Sequence, residues 1–393
     1  MGLIPVINVL LPLAVPSERN RGIYQRLQCL SADHKLRLWT LHDVEVAPEL
    51  SSKIEIIRFP WKLGKLEKLF YNLWVMIYLG GLIKRQEREI VYCVNHRQYL
   101  LGYLFKVVFN TRWVIDFFHS PFYRLDVLKD KGLAPAMLHD KILAAVFTKI
   151  LKRVDVALVM SHSQNEGFGW LIRRKFAVAS QKIIAIPDGV DIGLANSILT
   201  KAGNQHHENG LIRIIHVGAI NRKKFIWAMP LLTRLLEEYP QVRVTLRGAA
   251  LPPLQQEVEA WAHRHAERIR FSQVSHAQAL REIAEADIGL CILDDGIRDY
   301  HCCHPNKVFE YMAMGIAVVA SRLEGIEGII DDGVTGLLYQ CGDEDDFLRK
   351  MRLLISNRDL RRTMGAQAKE KVKRFDWTRL NNILVEKFNR LMQ

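Results

Sequence analysis

The stretch from His304 to Tyr339, HPNKVFEYMAMGIAVVASRLEGIEGIIDDGVTGLLY, decides the fold that we predict for this chain. Apolar residues recur at helical spacing between Pro305 and Gly315, and the apolar run 316–320 then suits a buried parallel strand. A second short helix is predicted to begin near Gly325. Two helix N-termini therefore flank one strand end, where unpaired N–H groups and the helix dipole attract an anion. An ordinary βα packing unit explains the same pattern without a ligand.

The order of residues in this stretch resembles the nucleotide-sugar site of family 4 glycosyltransferases, which are retaining enzymes of the GT-B fold. The resemblance rests on Pro305-Asn306-Lys307, Phe309-Glu310-Tyr311-Met312-Ala313, Gly315, Val318-Val319-Ala320-Ser321, Asp332-Gly333 and Gly336-Leu337-Leu338. It implies that Glu310 binds the ribose of the donor. The same resemblance makes Asn306, Lys307, Gly325 and Ile326 donor-binding residues.

Just before this helix the chain departs from the family pattern. Many members have a second glutamate, which touches the donor sugar, eight residues before the ribose-binding one, and Cys302 stands there in this chain. The surrounding run His301-Cys302-Cys303-His304 contains residue types that bind zinc. Four consecutive residues cannot all converge on one tetrahedral ion, and no second ligand pair stands nearby in the sequence. We therefore predict no metal site and no cofactor besides the donor substrate.

Strands and helices alternate along the chain, which predicts an α/β protein with doubly wound sheets. The resemblance implies two Rossmann-like domains that face each other across a cleft. We expect an N-terminal acceptor-binding domain over residues 1–200, a polar linker over 201–210 and a C-terminal nucleotide-sugar domain over 211–374. By resemblance, a last amphipathic helix over 375–393 crosses back and packs on the first domain.

Four residues are predicted to act in catalysis, and the resemblance supports all four. His119 lies at the carboxyl end of the strand predicted within residues 113–121 and matches a histidine that hydrogen-bonds the donor sugar in the family. Arg222, Lys223 and Lys224 follow a strand and a glycine turn, where the family places the cation that binds phosphate. Which of the three cations faces the ligand is left open. A packed loop histidine and a solvated charge run are the alternative interpretations.

Two glycines are predicted to let a donor group approach the backbone closely. Gly22 stands at the start of the first helix, where the family usually has a Gly-Gly pair and this chain has Arg21-Gly22. A plain tight turn explains Gly22 equally well. Gly218 follows the strand 212–217 at the start of the second domain.

The chain is basic, with a formal net charge of +13. Most of the excess lies in residues 1–191, which contain 27 Lys and Arg against 17 Asp and Glu. Nucleic acid, an anionic membrane or a phosphorylated substrate would each explain such an excess. The sequence has no nucleic-acid motif, and its aromatic residues are not interleaved with the basic ones as stacking platforms would be. We therefore predict no nucleic-acid partner.

Residues 69–83 form the most membrane-like segment of the sequence. This mostly apolar run is shorter than the roughly 20 residues that a membrane-spanning helix needs. Six basic residues flank it, namely Lys62, Lys65, Lys68, Lys84, Arg85 and Arg88. Aromatic residues between basic ends favour a helix at an anionic membrane surface, and a buried core helix with solvated ends is the alternative.

The cysteines and the N-terminus bear on the compartment. The six cysteines lie mostly inside apolar runs and lack a paired framework, which favours a reducing cytosol. Residues 1–16 have neither the basic region nor the cleavage site of a signal peptide. We therefore expect a cytoplasmic protein that binds peripherally to the cytoplasmic face of a membrane.

These observations together predict a hexosyltransferase. The expected enzyme moves a hexose from a nucleotide-diphosphate sugar to a lipid-linked or polysaccharide acceptor, and it retains the anomeric configuration. Helix N-termini and basic residues stabilise the departing diphosphate without a metal ion. Two alternatives remain open: an inactive scaffold subunit that keeps the fold, and a nucleotide-sugar epimerase or phosphorylase of similar fold.

Overall fold

The computed structural model describes residues 6–12, 21–62, 67–83, 89–117, 134–202, 210–220, 223–250, 254–293, 295–296 and 298–392. For residues 21, 68, 69, 134–140, 143, 202, 223, 224, 298, 299, 391 and 392 this description covers the backbone alone. The chain divides into two compact units. The first unit combines Met1–Pro187 with Thr378–Gln393, and the second is Asp188–Trp377.

A sheet of seven parallel strands forms the centre of the first unit, in the order β3-β2-β1-β4-β5-β6-β7. The strands are β1 (Val6–Leu10), β2 (Lys35–Thr40), β3 (Glu55–Arg58), β4 (Ile90–Cys93), β5 (Arg112–Phe117), β6 (Val156–Val159) and β7 (Ile183–Ala185). Most residues of the inner strands are buried on both faces, which explains why these strands read as continuous apolar runs rather than alternating ones.

Helices connect these parallel strands, as crossover connections require. They are α1 (Arg21–Asp33), α2 (Pro48–Ser51), α3 (Glu67–Ile83), α4 (Tyr99–Phe109), α5 (Ala134–Ile150) and α6 (Gly167–Lys175). Helices α3 and α4 pack closely together, because a Cβ atom added at Gly80 would lie only 2.6 Å from the ring of Phe109.

The second unit is built on six parallel strands in the order β10-β9-β8-β11-β12-β13. The strands are β8 (Ile212–Val217), β9 (Val242–Arg247), β10 (Ile269–Ser272), β11 (Ile288–Cys291), β12 (Ala317–Ser321) and β13 (Leu337–Tyr339). Two apolar cores, one on each face, sandwich this sheet. The predicted α/β class and the two parallel sheets are confirmed.

Nine helices are described in the second unit, and those beginning at Asn306 and Glu324 are the two predicted around the 304–339 stretch. The nine are α7 (Ile192–Ala202), α8 (Lys223–Glu238), α9 (Leu254–Arg264), α10 (His276–Ala284), α11 (Arg298–Cys302), α12 (Asn306–Met314), α13 (Glu324–Glu327), α14 (Glu344–Ser356) and α15 (Arg358–Val372). The acidic run that begins at Asp343 caps α14, because the Asp343 carboxylate accepts a hydrogen bond from the backbone N–H of Asp346.

The final helix, α16 (Trp377–Met392), returns to the first unit from Thr378 onwards. The Nε2 atom of His34, just after α1, lies 2.7 Å from Oδ1 of Asn389, and its ring contacts Phe388 edge to face. The thiol of Cys29 donates a hydrogen bond to the backbone carbonyl of Asn381. Phe388 is fully buried, so this helix contributes to the core of the first unit.

The division between the units falls earlier than the predicted boundary at residue 200. Helix α7 belongs to the second unit, because Ala195 is buried in its core and Ile192, Ile198 and Leu199 pack against that core. An amphipathic helix beside a linker can pack on either neighbour, so its sequence pattern does not determine this. Of the predicted linker 201–210, residues 203–209 lie outside the described residues.

A search of the described helices for a membrane-spanning segment finds none that is both long enough and apolar enough.

Candidate functional site

The candidate site lies at the carboxyl edge of the second unit's sheet. The strand order reverses beside β8, which has β9 on one side and β11 on the other. Ligands of open α/β sheets bind at such a reversal, outside the carboxyl ends of the strands. The loop after β8 and the start of α12 meet at this edge.

Helix α12 begins at Asn306, with Pro305 as its N-cap rather than in its first turn. Gly315 ends the helix with a φ of 73°, as the sequence predicted. The ring of Tyr311 lies against Gly289 of β11, and its hydroxyl accepts a hydrogen bond from the backbone N–H of Val217 at 3.0 Å. These contacts fix α12 against the ends of β8 and β11.

Glu310 is a buried carboxylate that faces the adjacent helix α10. Its Oε1 atom lies 2.8 Å from Nε2 of His276, the first residue of α10. Only 4% of Glu310 is exposed, so this contact is shielded from bulk water. A buried carboxylate that is held by a neighbouring imidazole keeps one orientation, which suits it to accept hydroxyl hydrogen bonds from a ligand.

Lys307 stands one turn before Glu310 and points towards the loop after β8. A Cβ atom at Gly218 would lie 3.0 Å from Nζ of Lys307, and Gly218 has a φ of +111°. Glycine is therefore favoured here both by backbone conformation and by space. Within the described part of the chain Lys307 has no ion-pair partner. Burial lowers the pKa of its ammonium group, and the nearby Cys291 and Glu310 oppose that shift.

His216, the residue before Val217 in β8, is a buried neutral imidazole beside this site. Its Nδ1 lies 3.0 Å from the carbonyl oxygen of Leu290, which places the proton on Nδ1. Burial, reinforced by the charge of Lys307, holds the pKa of His216 well below its usual value. The Nε2 atom is buried and has no hydrogen-bond partner among the described residues.

The other predicted residues of this motif lie in different surroundings. Asn306 opens α12, and its Oδ1 atom is buried without a hydrogen-bond partner in the described part of the chain. Gly325 lies against the backbone of Cys302 and Cys303. Ile326 is fully buried in the core, and its N–H donates to the carbonyl of Leu323, so its side chain is not brought to the site. Helix α13 is the predicted short helix near Gly325 and has four residues.

The run His301-Cys302-Cys303-His304 does not converge on one point. Nε2 of His301 lies 2.7 Å from the carbonyl oxygen of Asp295, and the Cys303 thiol donates to the carbonyl of Tyr300. His304 is buried, and its Nδ1 accepts from the N–H of Asp188. Among the residues that the structure describes, no group of three or more His, Cys, Asp or Glu is placed to hold a metal ion.

The side chains that the structure describes in the second unit include none of the other predicted residues, His119, Arg222, Lys223, Lys224 and Gly22. His119 and Arg222 lie outside the described residues, and Lys223 and Lys224 are described only as the backbone that opens α8. Gly22 is buried as the second residue of α1, in the first unit.

Two polar clusters were not predicted from the sequence. The first pairs Glu310 with His276, which lies 34 residues earlier in the chain and on another helix. The other cluster surrounds Asp116 at the end of β5, where Arg26 approaches its Oδ1 at 2.5 Å and Tyr92 donates to its Oδ2 at 2.7 Å. The apolar residues of the strand made this buried ion pair hard to predict. The one acidic residue of the strand, Asp116, was the only indication of it in the sequence.

Comparison with known proteins finds similarity to glycosyltransferases. Residues 212–357 match the family model described as Glycosyl transferases group 1. The sulfoquinovosyl transferase SQD2 of Arabidopsis thaliana is 27% identical over 176 residues, which are 42% of this chain and 30% of that protein. The phosphatidyl-myo-inositol mannosyltransferase of Mycolicibacterium smegmatis is 25% identical over 241 residues, which are 60% of this chain and 56% of that protein. The alignments thus span less than two thirds of either relative.

Solved structures confirm the fold over almost the whole chain. The crystal structure of Anabaena Alr3699/HepE in complex with UDP and glucose matches with a TM-score of 0.69 and 16% identity, covering 98% of this chain and 100% of that one. Sucrose-phosphate synthase from Thermosynechococcus elongatus matches with a TM-score of 0.71 and 18% identity, covering 98% and 99%. The second unit therefore contains a segment similar to group 1 glycosyl transferases, and the chain has the GT-B fold that the resemblance implied. Membership of family 4 in particular is compatible with these matches and stays a prediction.

Proposed function

We propose that this protein transfers a hexose from a nucleotide-diphosphate sugar to an acceptor and retains the anomeric configuration. The observation that carries the proposal is the pair Lys307 and Glu310 on α12, a cation and a carboxylate that face the same sheet edge inside the matched domain. Relatives support the donor class, because one similar structure holds UDP and glucose. One relative is named as a mannosyltransferase of phosphatidyl-myo-inositol, and the other as a sulfoquinovosyl transferase.

Each residue of the pair suits one part of such a donor. The ammonium group of Lys307 lies beside the glycine after β8, where a diphosphate reaches the backbone closely. The carboxylate of Glu310 accepts hydrogen bonds from the two ribose hydroxyls. The N-terminus of α12 adds a partial positive charge on the same side. This arrangement favours negative charge on the leaving diphosphate, which is the main requirement for breaking the sugar–phosphate bond.

We propose that leaving-group stabilisation needs no divalent metal, because basic side chains and a helix N-terminus supply the positive charge. Predicted contributors outside the described side chains are Arg222, Lys223 and Lys224. Transfer in excess EDTA at the untreated rate is the expected result. Loss of transfer that Mg²⁺ or Mn²⁺ restores contradicts this part of the proposal.

The activity itself is tested with a panel of UDP-, GDP- and ADP-sugars. We expect one of them to be consumed with release of the nucleoside diphosphate, and NMR of the product to show the donor's anomeric configuration. An inactive scaffold consumes none of the donors at any acceptor concentration. An epimerase interconverts the sugars without releasing nucleotide, and a phosphorylase requires inorganic phosphate.

We further propose that the first unit docks on an anionic membrane, where a lipid-linked acceptor is presented. Helix α3 is apolar on two sides. Its residues Tyr71, Trp74, Val75 and Leu79 are buried in the core. Its residues Phe70, Leu73, Ile77 and Tyr78 are exposed, the last two by 63% and 60%. A helix that is buried on all sides in the core does not account for these four exposed apolar residues.

The adjacent helix α4 extends this exposed apolar surface, which we call the α3–α4 face. Leu100, Leu104, Val107 and Val108 recur at helical spacing on α4 and are exposed. Exposed basic residues stand at its border, since Arg153 lies over the ring of Tyr103 on α4. Lys149 and Lys152 are exposed just before it in the chain. Apolar side chains with a basic rim fit an anionic lipid surface, and each basic residue near such a surface contributes about 1 kcal/mol.

A further inference from the structure

Besides the site on α12, the second unit has a polar groove over strands β8, β9 and β10 of its sheet. Its volume is about 560 Å³, and six arginines line it, namely Arg213, Arg243, Arg247, Arg268, Arg270 and Arg281. Helix α10 forms one wall, and strands β8, β9 and β10 form the floor.

Strand geometry brings the arginines onto one face of the sheet. In β9, the partly buried Arg243, Thr245 and Arg247 alternate with fully buried apolar residues, so these three point to the same face. Arg213 of β8 is the direct register partner of Arg243, and Arg270 of β10 is the partner of Thr245. Neighbouring strands lie about 4.8 Å apart, so three adjacent strands place guanidinium groups across roughly 10 Å.

Among the described residues, five of these six arginines form no ion pair with a carboxylate. Arg247 has a carboxylate partner, because its Nε lies 2.5 Å from Oε2 of Glu282. Arg243 donates to the backbone carbonyls of Pro240 and Val242, and no carboxylate in the described residues pairs with it. The Nη1 atom of Arg213 is buried without any hydrogen-bond partner among those residues. A buried guanidinium donor without a partner costs free energy, which a bound anion recovers.

The groove is separate from the site on α12. On α10, Leu280 and Ile283 are buried in the core that contains α12. Gln278 and Arg281, on the other side of the same helix, line the groove. A ligand in the groove therefore contacts side chains that the donor site does not use.

We propose that this groove binds a small molecule that carries two or more phosphate groups. Guanidinium groups pair with phosphate oxygens through two parallel hydrogen bonds, and several arginines about 5–10 Å apart match the spacing of linked phosphates. The volume is in the range of small-molecule sites, about 300–1,000 Å³. Three acidic residues, Glu267, Glu282 and Glu285, also line the groove, so six arginines and three glutamates give its lining a net formal charge of +3.

Inorganic tripolyphosphate is the probe, titrated calorimetrically into the full chain at about 50 mM salt, where charge pairs are weakly screened. Every titration uses the Lys307→Ala background, which removes the phosphate partner of the α12 site. We compare Arg213→Gln/Arg243→Gln with Arg358→Gln/Arg362→Gln, a matched pair of exposed arginines on α15. A second groove variant, Arg270→Gln/Arg281→Gln, changes only exposed residues and so leaves the core intact.

The background protein and the α15 control are expected to bind tripolyphosphate with the same affinity. Both groove variants are expected to bind at least tenfold more weakly, since each loses two charge-assisted contacts. Equal affinity in the groove variants and the control overturns the proposal. It is also overturned if the background protein binds no tripolyphosphate, or if an RNA oligonucleotide binds the groove more tightly than tripolyphosphate does. None of these results depends on transferase activity.

Discussion

Helices α12 and α3 both read as apolar helices in the sequence, and the structure gives them opposite surroundings. In α12, all seven residues from Val308 to Met314 are buried, Glu310 included. In α3, buried and exposed apolar residues alternate around the helix, and Ile77 is 63% exposed. The buried helix holds its polar groups in fixed positions, whereas the exposed one presents apolar area to the surroundings.

The difference shows that apolar content alone does not indicate what a helix does. Around α12, the partners of Tyr311 and Glu310 come from β8, β11 and α10, so the surrounding unit determines where each polar atom lies. Around the outer side of α3, no element of the described chain covers Ile77 and Tyr78. The first arrangement suits recognition of a specific ligand, and the second suits a surface without fixed geometry, such as a bilayer.

The largest effect is expected at Lys307. Lys307→Ala removes the cation that faces Gly218, and kcat/KM for transfer should fall by about 100-fold or more, as for the loss of a charge-stabilising donor elsewhere. Lys307→Arg, which keeps the charge, should retain more of the activity than the Ala variant. Transfer kinetics and circular dichroism measure activity and folding separately. Unchanged kcat/KM in a folded Lys307→Ala protein contradicts the assigned role.

A second large effect is expected on membrane binding when the α3–α4 face becomes polar. Leu73→Ser, Ile77→Ser, Val107→Ser and Val108→Ser together should reduce binding to anionic vesicles at least tenfold, because burial of each methylene contributes about 0.8 kcal/mol. Vesicle flotation at low and high salt provides the measurement. The same variant should keep its transfer activity on a soluble acceptor.

A control for this variant is Leu194→Ser, Val334→Ser and Leu353→Ser, which removes exposed apolar side chains from the second unit. Its vesicle binding should match that of the unmodified chain. Equal binding of the unmodified chain to neutral and anionic vesicles would exclude the anionic membrane. Dimers in solution that disappear when the face is made polar would show that a second copy of the chain covers it instead.

A smaller effect is expected in the pH dependence of stability, through His216. Its folded-state pKa is well below the unfolded value of about 6.5, so below that pH the unfolded chain binds a proton that the folded chain does not. Unfolding free energy should therefore fall with decreasing pH by up to about 1.4 kcal/mol per unit. His216→Asn, which keeps a donor for the Leu290 carbonyl, should have a shallower slope in urea titrations between pH 6.5 and 5. Identical slopes would contradict a neutral His216.

The sequence predicted α12, its glycine end and strand β12 to within one or two residues, because an apolar period and a terminal Gly specify them locally. It also predicted the parallel sheets, since strands and helices alternate. It did not predict His276 as the partner of Glu310. That contact depends on how α10 and α12 pack, which local patterns do not encode.

Local sequence patterns also could not predict three other features of the structure, namely the packing of α7, the exposed side of α3 and the arginine groove. Helix α7 joins the second unit because Ala195 is buried in that unit's core. The amphipathic pattern of α7 alone does not specify which unit it packs against. The sequence could not show which side of α3 is exposed and which is buried, because both sides are apolar. The arginine groove was missed because Arg213 and Arg243 are 30 residues apart in the chain and become neighbours only through the β8–β9 register.

The central claim is that Glu310 holds the donor, and calorimetric titration of the donor into Glu310→Ala tests it most directly. The donor is the nucleotide sugar that the unmodified chain consumes. Loss of hydrogen bonds to a buried carboxylate costs about 1.5–3 kcal/mol, so affinity should fall about ten- to hundredfold. Glu257→Ala, at an exposed glutamate on α9, serves as the control and should bind normally. Unchanged donor affinity in a folded Glu310→Ala protein would contradict the assignment of this site.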